Sequence, residues 1–299
     1  TGDTLFYDRN TGVGEAFSRM VMTDTINRNM LTGEYGYYNE QKDYAFATDS
    51  AVAIDYSQGD SLFLHADTLL METFHQNTDS MFREMRAFHK VRFYRTDVQG
   101  TADSLVFSTV DSCLTMYRDP IIWNKNQQLL GEVIKVYMND STIDWSHIIG
   151  QALSVEKVDS TVYNQVTGKE MKSYFVGGEM RKTEVIGSVR VVYYPMGSDS
   201  TLIGMNVSET SKLEIYLQNR KIERMVMSPK SNGVLYPMTQ IPAGKDRLEN
   251  FVWFDYIRPQ NKADIFNWRG KRVEDQLKKN VRGPVVLPNS RLFEKKKEE

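Results

Sequence analysis

Short stretches in which apolar and polar residues alternate recur along the chain. The clearest examples lie at residues 62–66, 105–108, 189–191 and 213–217. Because successive side chains of a strand point to opposite faces of its sheet, a period of two predicts strands with one apolar and one polar face. Clusters of turn-forming residues separate the apolar runs. The pattern therefore predicts an all-β protein in which short strands follow one another through hairpins and corners.

A small acidic unit also recurs, in which Asp is followed by Ser or Thr and then by an aliphatic residue. Side chains of Asp, Ser and Thr can bond nearby backbone N–H groups, which suits them to corners where a strand ends and another begins. The irregular spacing of the units argues against a solenoid of fixed period, but their recurrence favours stacked strand units over a single compact sandwich. The units begin at Asp3, Asp24, Asp49, Asp60, Asp67, Asp103, Asp111, Asp140, Asp159 and Asp199.

Two segments depart from the alternating pattern. Residues 75–90 carry apolar side chains at helical spacing after a candidate cap at Asp79, which predicts either one short helix or a loop between strands. Residues 259–299 contain 11 Lys or Arg and 6 Asp or Glu. We predict one continuous repeat domain over residues 1–258, followed by a basic, weakly ordered tail with a short helix at 273–279.

Composition excludes some function classes. The formal net charge of −2 gives no basic field of the kind that attracts nucleic acid, so no nucleic-acid partner is expected. The one cysteine, Cys113, cannot form an intramolecular disulfide and is predicted to be a small buried thiol. No apolar run is long enough for a membrane-spanning helix. The chain begins at Thr1 without an apolar signal segment, and we expect any export signal to be missing from it.

Candidate catalytic chemistry is sparse. The chain has no G-x-S-x-G, H-E-x-x-H, Walker or C-x-x-C motif, and these motifs carry well-defined enzyme or metal chemistry. His65 lies out of phase with Leu64 and Ala66, which predicts an outward, solvated side chain. The other three histidines have no cysteine or acidic partner at metal-ligand spacing. We therefore predict that the chain is not an enzyme and has no catalytic residue, no metal site and no cofactor.

Residues 8–24 resemble the repeat of the OstA-like family, in which a turn ending in Thr-Gly leads into small residues, an alternating strand and then Asp. The family's unit of alternating apolar residues closing on Ala-Asp is matched at 62–69 and 98–105. Looser versions occur at 44–49 and 208–213. The resemblance spans roughly residues 2–227 and rests on the order and number of these units, since each alone is a weak signal.

The resemblance to OstA-like proteins of lipopolysaccharide transport implies a fold and a function. The implied fold is an elongated open β-jellyroll, or β-taco, of stacked short antiparallel strands with at most one or two short helices. The implied function is to bind the acyl chains of lipopolysaccharide, or lipid A, in an apolar groove and to pass them across the periplasm toward the outer membrane. The implied partners are lipopolysaccharide and other transport proteins added at edge strands, and copies of the chain could also assemble end to end.

The inner face of such a fold would be lined by alternating apolar residues from strands that begin at corner units. The alternative is that these residues form a closed, packed core without room for a ligand. A structural or adhesive β-repeat protein of the envelope is the second functional hypothesis, and a polysaccharide-acting β-helix enzyme is the third. The predicted lipid-binding residues are Leu62, Leu64, Leu105, Phe107, Leu213, Ile215 and Leu217.

Overall fold

The structure is a computed structural model that describes residues 1–26, 28–57, 59–139, 142–219, 221–272 and 275. All of its strands belong to one antiparallel sheet of 18 strands, and its helical residues form only short 3₁₀ turns. The all-β prediction is therefore confirmed. The strands are β1 (Thr4–Asp8), β2 (Val13–Asp24), β3 (Asn29–Asn39), β4 (Tyr44–Thr48), β5 (Val52–Asp55), β6 (Leu62–His65), β7 (Thr68–Phe74), β8 (Phe82–Tyr94), β9 (Val98–Ser108), β10 (Cys113–Tyr117), β11 (Ile121–Asn124), β12 (Gln127–Leu130), β13 (Val133–Asn139), β14 (Thr142–Lys157), β15 (Tyr163–Val176), β16 (Glu179–Tyr193), β17 (Gly204–Gln218) and β18 (Lys221–Pro237). The 3₁₀ turns are η1 (Met238–Gln240), η2 (Asp255–Ile257) and η3 (Asp264–Phe266).

Long strands and end-to-end pairs of short strands alternate in the sheet. β8, for example, pairs with β7 through its first half and with β6 through its second half. β9 pairs in the same way with β10 and β11, and β14 with β13 and β12. From β14 to β18 every strand is long and pairs with the next one along the chain. Each long strand, and each end-to-end pair of short strands, forms one rung of the sheet. The rungs follow one another in chain order, with β1 and β18 at the two edges.

A crease divides every rung near its middle. Most long strands shift register there, and neighbouring residues at the crease take a positive φ, as at Asp49–Ser50, His89–Lys90 and Arg118–Asp119. We call the part of the sheet with β1, β4, β7, β10 and β13 arm A, and the part with β5, β6, β11 and β12 arm B. Buried apolar residues of both arms form one cluster, so the sheet is folded over on itself as an open β-jellyroll.

The acidic units lie where the chain changes direction. Asp49, Asp67 and Asp103 lie at the crease, while other units lie at turns. In one such turn the Asp159 carboxylate accepts hydrogen bonds from the backbone N–H groups of Thr161, at 2.7 Å, and of Val162, at 2.9 Å. These bonds lower the pKa of Asp159, because they favour the ionised form. The unit at Asp140 lies outside the described residues.

The helix alternative for residues 75–90 is wrong, because residues 82–94 form β8. The helical spacing of its apolar residues has a different cause, which is that both faces of this strand carry apolar side chains. Met85 packs against the inner cluster, whereas Phe82 lies on the other face and stacks on Phe74 with ring centroids 4.9 Å apart. Two apolar faces in one strand imitate the apolar stripe of a helix.

After β18 the chain runs back across the outer face of arm B as a strap, which we define as residues 238–272. Buried glutamines of the sheet bond to it. Gln128 donates to the carbonyl of Val252 and accepts from the N–H of Phe254, both at 2.8 Å. Gln165 makes the same pair of bonds with Asp246 and Leu248, also at 2.8 Å. Amide side chains thus satisfy the strap's backbone where no strand lies beside it.

The predicted domain boundary at residue 258 falls inside the strap. Beyond it, Asp264 and Ile265 are buried against arm B. Asp264 accepts hydrogen bonds from Arg269 and from the backbone N–H of Gln260, the latter at 3.0 Å. The helix predicted at 273–279 lies outside the described residues, apart from Asp275.

A candidate apolar groove between the arms

The inner face of arm A carries an apolar row beside the crease, which we call row 1. Each member lies opposite the next across a strand pair, so the row runs the whole length of the sheet. With strands about 4.8 Å apart, it spans roughly 60 Å. Most of its members are buried. Row 1 consists of Leu5, Ala16, Gly36, Ala47, Leu69, Ala87, Leu105, Met116, Ile134, Ile148, Met171, Val185, Leu213 and Met227.

A second inner row lies two residues farther from the crease, toward the free tips of arm A. We call it row 2. It is less buried than row 1 over much of its length, and Met71 is 42% exposed. A gradient of burial from crease to tips is what an open groove produces. Row 2 consists of Tyr7, Gly14, Tyr38, Ala45, Met71, Met85, Phe107, Leu114, Val136, Ser146, Ser173, Thr183, Ile215 and Met225.

Arm B supplies the facing wall. Its inner row is apolar from Met22 to Leu129, and it carries no charged residue. Gly100 leaves room for an aromatic neighbour, because a Cβ at this position would lie 2.2 Å from the ring of Phe93. The row consists of Met22, Leu31, Ala53, Leu64, Phe93, Gly100, Ile122, Leu129, Ser154, Val166, Val191, Ser208 and Gly233.

The seven residues proposed from the sequence all lie on the inner face, but at different depths. Leu64, Leu105 and Leu213 are buried beside the crease. The alternative of a packed core therefore describes this deepest layer. Leu62 and Ile215 are half-buried and pack against that layer. Phe107 and Leu217 are also half-buried and share the inward parity of Leu105 and Ile215. Lipid contact by these residues stays a prediction.

Sequence reasoning missed several groove residues because their strands read as helix-like or mixed. Met71 and Met85 lie opposite each other in row 2, and Leu114 lies opposite Phe107. The signal that could have found them is the cross-strand pairing itself, since residues opposite a groove residue share its face. Methionine is flexible and fits irregular apolar surfaces.

Two single-residue predictions have different outcomes. Cys113 is buried, as predicted. His65 does point to the outer face, but the prediction of a solvated side chain is wrong. Its Nδ1 lies 2.8 Å from the carbonyl oxygen of Ala51, and its ring contacts Phe266 of the strap at 4.8 Å between centroids. The strap, which the sequence pattern did not predict, covers this position.

Two buried charged residues, Arg92 and Asp264, meet between arm B and the strap, away from the inner rows. The Arg92 side chain on the outer face of β8 is 1% exposed and donates to the carbonyl of Ile257 at 3.3 Å. Burial lowers its pKa to about 10, although Asp264 at 3.8 Å opposes that shift. For Asp264, burial raises the pKa, but hydrogen bonds from Arg269, Gln260 and Asn267 outweigh it and lower the pKa to about 2.

The described residues contain no group of His, Cys, Asp and Glu side chains that could hold a metal ion. Within the same part of the chain, no helix has the length and apolar character needed to cross a membrane.

The fold defines an open, folded-over antiparallel sheet with an apolar inner face. The chain matches no protein-family model. It also matches no curated protein. Among solved structures it is similar to LptH from Pseudomonas aeruginosa, described as the LptA homologous periplasmic component of the conserved lipopolysaccharide transport device. The identity is 15% and the TM-score 0.36, over 47% of this chain and 95% of LptH. This likeness is too weak to assign a function.

Proposed function

We propose that the chain binds lipopolysaccharide through its acyl chains in the groove between arms A and B, and passes it across the periplasm toward the outer membrane. The observation that carries the proposal is the set of three uncharged inner rows beside the crease, of which row 2 is half-exposed from Met71 to Val136. An acyl chain gains roughly 0.8 kcal/mol for each CH₂ group that such a wall removes from water. The sequence resemblance to OstA-like proteins supports the same ligand.

The edges of the sheet support the proposed partners. In the described chain β1 pairs only with β2, and β18 only with β17. Each edge thus offers unpaired backbone groups to another strand. At the β1 end the inner face is open, since Leu5 is 60% and Tyr7 56% exposed. A depression of about 230 Å³ lies there. We propose that other transport proteins, or further copies of the chain, add at these edges and continue the groove.

The proposal requires no chemical step, and we assign no catalytic residue or cofactor to the chain. The groove's task is to bind an apolar ligand reversibly along a continuous surface. The half-exposed part of row 2, from Met71 to Val136, suits this task, because a ligand can slide along it without a closed cavity having to open.

Native mass spectrometry of protein purified with its envelope tests the proposal. We expect a bound species with the mass of lipid A or lipopolysaccharide, released when detergent fills the groove. A control preparation of the same protein, delipidated and then mixed with purified lipopolysaccharide, should regain the mass. A ligand-free protein that also fails to bind added lipopolysaccharide would instead support the structural or adhesive hypothesis.

A further inference from the structure

The inner face changes its chemistry at β14. In row 2 of arm A the apolar run ends at Val136, and the next positions are Ser146, Ser173 and Thr183 before Ile215 resumes it. We call these three hydroxyl residues the hydroxyl belt. On arm B, Leu129 is followed across the pair by Ser154, after which the row returns to Val166 and Val191. Both walls therefore carry a serine at β14, and the hydroxyl residues continue through β15 and β16 on arm A.

The side chains of the hydroxyl belt are also buried between the two arms. Ser146 is 9%, Ser173 4% and Thr183 6% exposed, whereas the row 2 residues on either side of the belt are half-buried. Small side chains that are more buried than their larger neighbours show that the walls leave little free surface at β14 to β16. A ligand lying along row 2 would therefore lose contact area at this point.

The hydroxyl groups of Ser173 and Thr183 bond to protein atoms. The Ser173 Oγ and Thr183 Oγ1 atoms are 3.0 Å apart, and Thr183 Oγ1 also donates to the sulfur of Met180 at 3.3 Å. An acyl chain that displaced these contacts would leave hydroxyl groups without partners, which is unfavourable in an apolar environment. The bonded hydroxyl groups and the small free surface at the belt therefore both disfavour an acyl chain there.

We infer that the hydroxyl belt ends the acyl-binding section of the groove, which extends from β6 and β7 to β12 and β13. This inference rests on the proposed function and makes it more specific. Of the residues predicted from the sequence, Leu62, Leu64, Leu105 and Phe107 lie inside the section. Leu213, Ile215 and Leu217 lie beyond the belt and shape the sheet without contacting acyl chains.

Photo-crosslinking at a matched pair of positions tests the inference. Phe107 and Ile215 both belong to row 2, are both half-buried and lie on opposite sides of the belt. p-Benzoylphenylalanine is placed at each position in the full chain, and purified lipopolysaccharide with hexa-acylated lipid A is the probe. Val106, which faces outward next to Phe107, is the background control. Circular dichroism and the melting temperature of each labelled protein confirm that it is folded.

We expect crosslinking at Phe107 to exceed that at Ile215 about tenfold, the ratio produced when roughly two buried methylene groups distinguish the two sections. Equal crosslinking at both positions, or a preference for Ile215, would overturn the inference while leaving lipid binding intact. Crosslinking no stronger than at Val106 in both positions would overturn the proposed function, and the inference with it.

Discussion

The two faces of arm B are both rich in apolar side chains, yet the protein covers β11 more completely on the outer face than on the inner face. On the outer face, Trp123 and Leu153 are fully buried beneath Phe254 and Ile257 of the strap. On the inner face, Ile122 of the same strand β11 is half-buried. The chain thus supplies its own cover on one side and leaves the other partly open. An apolar face that a protein leaves open in this way is the signature of a binding surface.

Two separate alanine substitutions, one on each face of β11, should show this difference with the largest effect. Trp123→Ala should lower the free energy of unfolding by about 3–5 kcal/mol, because it empties the space beneath the strap. Ile122→Ala should cost less than about half of that, since its side chain already meets solvent. Denaturant unfolding of both variants measures the difference. Equal losses would mean that the inner face is as tightly packed as the outer one.

The hydrogen bonds to the strap offer a second, smaller effect. Gln128→Leu removes the partners of the Val252 carbonyl and the Phe254 N–H in a buried position, so we expect a loss of about 2–4 kcal/mol. Gln127→Leu, at the neighbouring inward position, removes only a half-buried bond to Ser154 and should cost under about 1 kcal/mol. Hydrogen exchange at the Phe254 amide should quicken only in the first variant, and equal protection in both would contradict the role of Gln128.

The strap should also loosen in acid. Burial raises the pKa of Asp264, but hydrogen bonds from Arg269, Gln260 and Asn267 outweigh it and lower the pKa from its ordinary value of 3.8 to about 2 in the folded protein. A carboxylate with a lowered pKa stabilises the folded state fully above about pH 4 and loses that contribution as the pH falls toward 2. The expected loss is about 1–2 kcal/mol. Asp264→Asn should be less stable than the natural protein at pH 6, and the gap should close by pH 2; a constant gap would argue against this ion cluster.

The smallest effect on stability is expected in the groove itself. Met71→Ala removes a side chain that is 42% exposed, so the free energy of unfolding should change by no more than about 0.5 kcal/mol. Lipopolysaccharide binding should nevertheless weaken, because the side chain belongs to the proposed wall. Leu69→Ala, in row 1 of the same strand, is the control and should cost about 2–5 kcal/mol. An unchanged affinity in Met71→Ala would remove this position from the site.

The all-β class and the corners could be predicted from the sequence, because alternation and Asp-containing turns are local signals. Asp159 illustrates this, since its bonds to Thr161 and Val162 join residues two and three positions away. The strap could not be predicted from local pattern. Its anchors join Gln128 to Val252 and Phe254, more than 120 positions along the chain, and no periodicity carries that information.

The depth of the groove residues could not be predicted from the sequence either. Leu64 and Leu62 alternate identically in the sequence, yet only Leu64 is buried beside the crease. Depth depends on the distance from the crease, which cross-strand pairing fixes and a single strand does not reveal. For the same reason, the alternating sequence pattern did not identify Met71 and Met85 as groove residues.

The central claim is that the inner face of the folded sheet, and not its outer face, holds lipid. Met85→Asp places a charge in row 2, while Leu70→Asp places one on the outer face of the neighbouring strand, and both positions are half-buried. With both variants folded, binding of purified lipopolysaccharide is the measurement. We predict a loss of at least about tenfold for Met85→Asp and little change for Leu70→Asp. Equal binding by the two variants would contradict the claim.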